Sequence, residues 1–251
     1  MTADLPRTLL ATGLPPGWIE LTAFRDEPTL REFLDSQLDV DAQLYTDEHR
    51  SMVHQACAMV FDLVRAQQWL HLGAVVTSVP DSDEPAEPRW RTTTWAVGVG
   101  VLPTPDLGDI DPLAVAERVL GRVQGVEQCE PFTLDDGRHG VVLATTTSVD
   151  LTVLDFDPRA YLPQLDPDHL GVYLCLLPVP GLEDHLGVTV GVAPNRDERS
   201  PLSFLAGQMA TSLHTVAEVG DLPTGNVLVD ATRTLHPSGF LRPVATGATV
   251  G

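Results

Sequence analysis

Apolar positions recur along this chain with two periods, and the switches between them mark its elements. After the turn Leu14-Pro15-Pro16-Gly17, Trp18-Ile19-Glu20-Leu21 reads as a short strand. A helix is expected from Pro28, where Leu30, Phe33, Leu34 and Leu38 are spaced by three and four. The longest helical stripe runs from Thr46 to Gln68. Thr46 is placed to cap it, Asp47 and Glu48 suit its dipole, and Met52, Val53, Ala56, Met59, Val60, Leu63 and Val64 share one face.

From Leu70 to Val79 the period becomes that of a strand, and an acidic, proline-rich loop, Pro80 to Pro88, leads into a second strand, Arg89 to Leu102. There Trp95, Val97, Val99 and Val101 alternate with Thr94, Ala96, Gly98 and Gly100, giving one bulky and one small face, and a helix is expected against the small one. Asp111-Pro112 opens a third helix with Pro at its first position. Two hairpins are expected next. The first joins Val126–Leu134 to Arg138–Leu154 through Asp135-Asp136-Gly137, with one wet face over Thr145 to Asp150. The second joins Val172–Val179 to Leu186–Ala193 through Pro180-Gly181, and Tyr173 to Leu177, apolar on both faces, marks a central strand. A last helix is expected from Ser200 to Val216 with Pro201 at its first position and Leu202, Leu205, Met209, Leu213 and Val216 inward. These elements describe an α+β domain over 1–219, a mostly antiparallel sheet covered by helices, followed by a 220–251 tail with one added strand at Val227-Leu228-Val229.

Composition changes the picture in two ways. The chain has 251 residues, 35 acidic and 15 basic, for a formal charge of −20. That field repels phosphate backbones, so nucleic acid is not an expected partner, and a basic protein or self-assembly is. Every basic residue is Arg and none is Lys, which removes Schiff-base, P-loop and general-base lysines from consideration. Lysine, Asn and Ile are all scarce, as a high-GC genome produces. Cys57, Cys129 and Cys175 are odd in number and unpaired by spacing, and no segment has the length and hydropathy of a membrane span, so a cytoplasmic protein with reduced, buried thiols is expected.

Candidate chemistry is sparse. His49, His54 and Cys57 share one helix, yet they lack the further ligands of a zinc site. Asp155 and Asp157 flank Phe156 at a strand end, a weak cation pair. No G-x-S-x-G elbow exists, and His236-Pro237-Ser238-Gly239 sits in the tail. No catalytic, cofactor or metal residue is assigned. The candidate protein interface is Arg89, Trp90 and Arg91 beside the acidic loop, since Trp and Arg anchor interfaces. The alternative is a small-molecule or catalytic pocket over the Gly98/Gly100 face.

Three stretches carry a resemblance: Leu14-Pro15-Pro16-Gly17-Trp18, Tyr173 to Gly181 ending in Leu-Pro-Val-Pro-Gly, and the strand, Pro201 and helix that follow. Together they resemble uncharacterised actinobacterial proteins with a Mog1/PsbP-like α/β/α sandwich, over roughly Leu14 to Val216. Members of that superfamily mostly bind proteins and share no catalytic centre, so the resemblance implies an adaptor or accessory role. The long Thr46 helix and the tail depart from the minimal pattern.

Overall fold

A computed structural model of the chain describes residues 9–15, 18–22, 24, 26–40, 47, 50, 51, 54, 71–80, 90–103, 110–121, 123–153, 157–160, 164–216, 226–230, 233–235 and 241–243. Two layers of helix enclose a mostly antiparallel sheet, the α+β sandwich expected from the pattern. The strands are β1 Leu9–Gly13, β2 Trp18–Glu20, β3 His71–Pro80, β4 Trp90–Pro103, β5 Val123–Thr133, β6 His139–Thr147, β7 Leu170–Val179, β8 Leu182–Ala193, β9 His214–Val216, β10 Asn226–Asp230, β11 Arg233–Leu235 and β12 Leu241–Pro243. The helices are α1 Glu27–Val40, α2 Pro112–Leu120 and α3 Arg199–Ser212. Of the expected Thr46 helix, residues 47, 50, 51 and 54 are helical and the others lie outside the described residues.

The main sheet runs β12-β11-β4-β8-β7-β6-β5, with β3 also on β4 and β2 on β3. β4 is long enough to pair with β3, β8 and β11. Its first part pairs with β3 (Trp90 opposite Pro80, Val99 opposite His71) and its second with β8 (Ala96 opposite Val192, Pro103 opposite His185). Strict alternation gives the strand two different faces. Trp95, Val97, Val99 and Val101 are buried with Tyr173, Cys175 and Leu177 beneath Leu202, Ala206 and Met209 of α3. On the other face Leu174, Leu176, Val188 and Val190 lie under Val115, Ala116 and Val119 of α2, and Leu72 and Ala74 lie against Leu30 and Leu34 of α1.

Close approach to the sheet is seen at two glycines of β8. A Cβ on Gly191 would stand 2.7 Å from Leu202 Cδ1 of α3, and one on Gly187 would stand 2.6 Å from Cδ2 of Leu213, the residue that follows α3. Gly98 and Gly100 are themselves buried, on the face that α1 and α2 flank.

Local chemistry accounts for most boundaries. Asp111 Oδ1 accepts from Leu113 N at 2.9 Å with Pro112 at the first position of α2, as expected. The two hairpin turns use Gly137 (φ +86°) and Gly181 (φ +81°), backbone conformations that a side chain disfavours. β6 stops at Thr147 rather than Leu154, because Asp150 accepts from Thr152 N and Oγ1 (2.9 and 2.6 Å) and starts a 3-10 turn, Leu151–Val153. Of the wet face expected there, Ser148 and Asp150 are exposed, beyond the end of the strand, and the threonines within it are not. Thr145, Thr146 and Thr147 are all buried, since β5 and β7 flank the strand and Gln124 O accepts from Thr145 Oγ1 (2.6 Å) and Thr146 Oγ1 (3.2 Å). Likewise α3 begins at Arg199, not Pro201. Asn195 Oδ1 accepts from Asp197 N and Glu198 N, and the turn it starts runs directly into the helix.

Among its described residues, the segment after 219 contributes three strands where one was expected. β10 pairs antiparallel with β1 (Leu9 opposite Asp230, Gly13 opposite Asn226), and β1 also pairs with β9. β11 adds to β4 in parallel through Thr234 and Val101, and β12 to β11. The N-terminal strand is thus held between two C-terminal ones, pinned by Thr12 Oγ1 donating to Met209 O at 2.7 Å.

Candidate protein-interaction surface

Trp90 and Arg91 open β4, opposite Pro80 and Val79; Arg89 and the acidic loop lie outside the described residues, as do the side chains of Trp90 and Arg91. What holds this end of β4 in place is a buried polar cluster that the pattern of the chain did not announce. Glu198, 3% exposed, accepts from Trp95 Nε1 (2.7 Å) and Thr93 Oγ1 (2.8 Å) through Oε2, and from Asn195 Nδ2 (3.2 Å) through Oε1. A buried carboxylate is tolerable only with such donors.

The next residue faces the other way. Arg199 pairs with Glu127 of β5, Arg196 Nη2 stands 3.6 Å from the same carboxylate, and Arg199 Nε donates to Arg196 O at 3.0 Å. Adjacent residues Glu198 and Arg199 therefore tie the start of α3 to β4 and to β5, strands four places apart in the sheet. The irregular register between Gln124 and Gln128, around Gly125 at φ +41°, is the bulge that carries Glu127.

Arginine is spent inside the molecule in the same manner elsewhere. Arg31 pairs with Glu27 (2.8 Å), Arg50 with Asp39 (2.7 Å), Arg138 with Asp136 (2.8 Å) and Arg159 with Asp157 (2.9 Å). Hydrogen bonds from Arg138 and Arg159 hold the Asp136 and Asp157 carboxyls below the usual range, and Thr152 does the same for Asp150. With this much of the positive charge internally paired, the surplus of acid over base sets the outward field.

The other sequence candidates resolve individually. His54 Nε2 lies 2.8 Å from Asp35 Oδ1 of α1, while His49 and Cys57 lie outside the described residues, among which no three metal-ligating side chains cluster. Asp157 is committed to Arg159 N, Nε and Nη2; Asp155 lies outside the described residues, as does His236 to Gly239. Cys175 is buried as expected, and burial pushes its thiol up to about 12. Cys129, expected to be buried, is exposed because β5 is the outer strand of the sheet, with no neighbour beyond it among the described residues. Gly98 and Gly100 do not open to solvent.

Two features escaped the sequence reading. Phe204 is 72% exposed on α3, although nothing in its spacing separates it from an inward residue except the phase of the helix. Between β6 and β7, residues 148–152, 157–159, 167 and 168 line an open cleft of about 710 Å3, with Asp150, Asp157, Arg159 and Asp168 among them. Among the described residues, no helix is long and apolar enough to cross a membrane.

Neither a family model nor a curated protein matches the chain. Among solved structures, the cyanobacterial PsbP protein (CyanoP) from Synechocystis sp. PCC 6803 is similar at 13% identity and a TM-score of 0.31, over 59% of this chain and 87% of that one. Overlap at that level bears no argument. The α+β sandwich stands on the layers and registers described above.

Proposed function

We propose that this chain is a non-enzymatic accessory protein that binds another protein, with an acidic surface that steers it toward a basic partner. One observation carries the reading. At a formal charge of −20, Arg31, Arg50, Arg138, Arg159, Arg196 and Arg199 are each paired with the protein's own carboxylates. The field left over is that of unpaired acid, which accelerates encounter with positive surfaces and disfavours nucleic acid and anionic lipid. The proposed contact is Arg89 together with Trp90 and Arg91 of β4, since Trp and Arg are the residue types that dominate binding energy. The Glu198 cluster beneath supports that contact by fixing the strand. The proposed setting is the cytoplasm, with neither cofactor nor membrane insertion.

The test is capture of the partner by the tagged full chain, compared with Trp90→Ala and with Arg89→Glu/Arg91→Glu. Loss of capture on Trp90→Ala with unchanged circular dichroism supports the assignment. Undiminished capture by both variants removes the site from this end of β4.

A further inference from the structure

The C-terminal strands are divided between the two sheets: β10 lies in the three-stranded one, β11 and β12 in the larger. They differ from their neighbours in how they are held. β9 follows α3 with only Leu213 between, and Thr215 donates to Pro180 O through N (3.3 Å) and Oγ1 (3.1 Å), so this strand is fixed to the body. β1 is fixed as well. Leu10, Ala11 and Thr12 are buried, Thr12 Oγ1 donates to Met209 O (2.7 Å), and Gly13 N donates to Ser212 Oγ (2.9 Å), which binds the strand to the last turn of α3 in addition to β9.

β10 has no second strand beside it among the described residues; its ladder is with β1 alone. β11 meets β4 at a single parallel pair, Thr234 with Val101, and β12 meets β11. Two strands of three residues each are too short a hairpin to stand by themselves. The dependence therefore runs one way. β1 keeps β9 and α3 if β10 departs, whereas β10 loses its whole ladder if β1 departs, and its backbone groups then turn to water.

The place of β11 gives this arrangement a use. Val101 pairs with Gly187 of β8 on one side, so β11 sits on the other, the side that β3 covers only as far as Val99. An open edge on a long strand is a template for another chain, and β11 closes this one. We infer that β1 is a latch for the C-terminal strands: when it lets go of α3, β10, β11 and β12 leave as one unit, and the edge of β4 past Val99 is opened. Whatever grips the first strand thereby acts on β4, at the other side of the molecule's topology.

Native-state hydrogen exchange of the full chain in increasing, sub-denaturing urea is the experiment. Amides of 226–230 and 233–235 are expected to open together, no later than those of 9–13 and before those of β7. Ala11→Asp, which sets a carboxylate at a buried position of β1, should cost 9–13, 226–230 and 233–235 on the order of a hundredfold in protection or more, with β7 unchanged. Leu228→Pro, which interrupts β10, should free 226–230 and 233–235 and leave protected the β1 amides directed at β9. Retained protection at 226–235 when 9–13 have lost theirs, or an equal loss in β7, would overturn the inference. So would amides of 233–235 that outlast those of 9–13 in the unaltered chain, a comparison that needs neither variant to fold.

Discussion

The indole Nε1–H of Trp95 donates to Glu198 Oε2 at 2.7 Å, with both side chains in the core. The bond joins the middle of β4 to the start of α3. Hydrogen bonds to a charged group contribute about 1.5–3 kcal/mol, and a buried donor left without its acceptor costs a similar amount. Trp95→Phe is therefore expected to lose roughly 2–3 kcal/mol, from the bond and the altered packing together. Glu198→Ala, which strips acceptors from Trp95 and Thr93 at once, should lose more, roughly 3–5 kcal/mol. Urea unfolding of both single variants and the double checks this, since a shared bond makes the losses less than additive.

Gly191 and Gly207 make an opposed pair. Alanine at 191 would drive its Cβ to 2.7 Å from Leu202 Cδ1, whose side chain is fully buried, so Gly191→Ala should lose about 1–3 kcal/mol. Gly207→Ala meets only an ordinary contact and should gain about 0.5–1 kcal/mol through helix propensity. Thermal unfolding of the two variants should move in opposite directions.

Much of this architecture was legible in the chain because local signals and burial agree. The Asp111-Pro112 helix start, the Asp136-Gly137 and Pro180-Gly181 turns, and the apolar run of β7 each have one physical reading. Legibility failed where partners distant in sequence decide the outcome. Thr145 to Thr147 look amphipathic in isolation and are buried by β5 and β7, and Cys129 looks like a core thiol until its strand proves to be the sheet's outer one. Glu198 reads as one more surface acid in an acidic chain; only Trp95 and Thr93, about a hundred residues earlier, make it a core residue. Phe204 lies in the reverse situation, an apolar residue whose helical phase turns it outward.

Thiol chemistry should divide the two described cysteines. Cys129 is exposed on β5, whereas burial of Cys175 pushes its pKa up to about 12 and denies a reagent its thiolate. Titration with a chromogenic disulfide in native buffer should lose a fast-reacting equivalent in Cys129→Ser and none in Cys175→Ser. In denaturant both variants should lose one equivalent.

Burial also lowers the pKa of His185 on β8, against a smaller opposing effect of Asp184. The folded state therefore favours the neutral ring. Its contribution to stability is complete above the unfolded value of about 6.5 and is lost as pH falls through the lower folded value. The urea midpoint should decline from pH 7 toward pH 5, and His185→Gln should flatten that decline. A further decline below about pH 4 is expected as Asp136, Asp150 and Asp157, whose pKa values are also depressed, take up protons.

Surplus acid on this surface should select a basic protein. Capture of the tagged chain from lysate of its own organism at low and at high salt, with mass spectrometry and native mass of the eluate, tests it most directly. A stoichiometric protein partner, retained at low salt and lost at high salt, is expected. A clean monomer carrying an unexplained small mass, or a partner held equally at both salts, would contradict it.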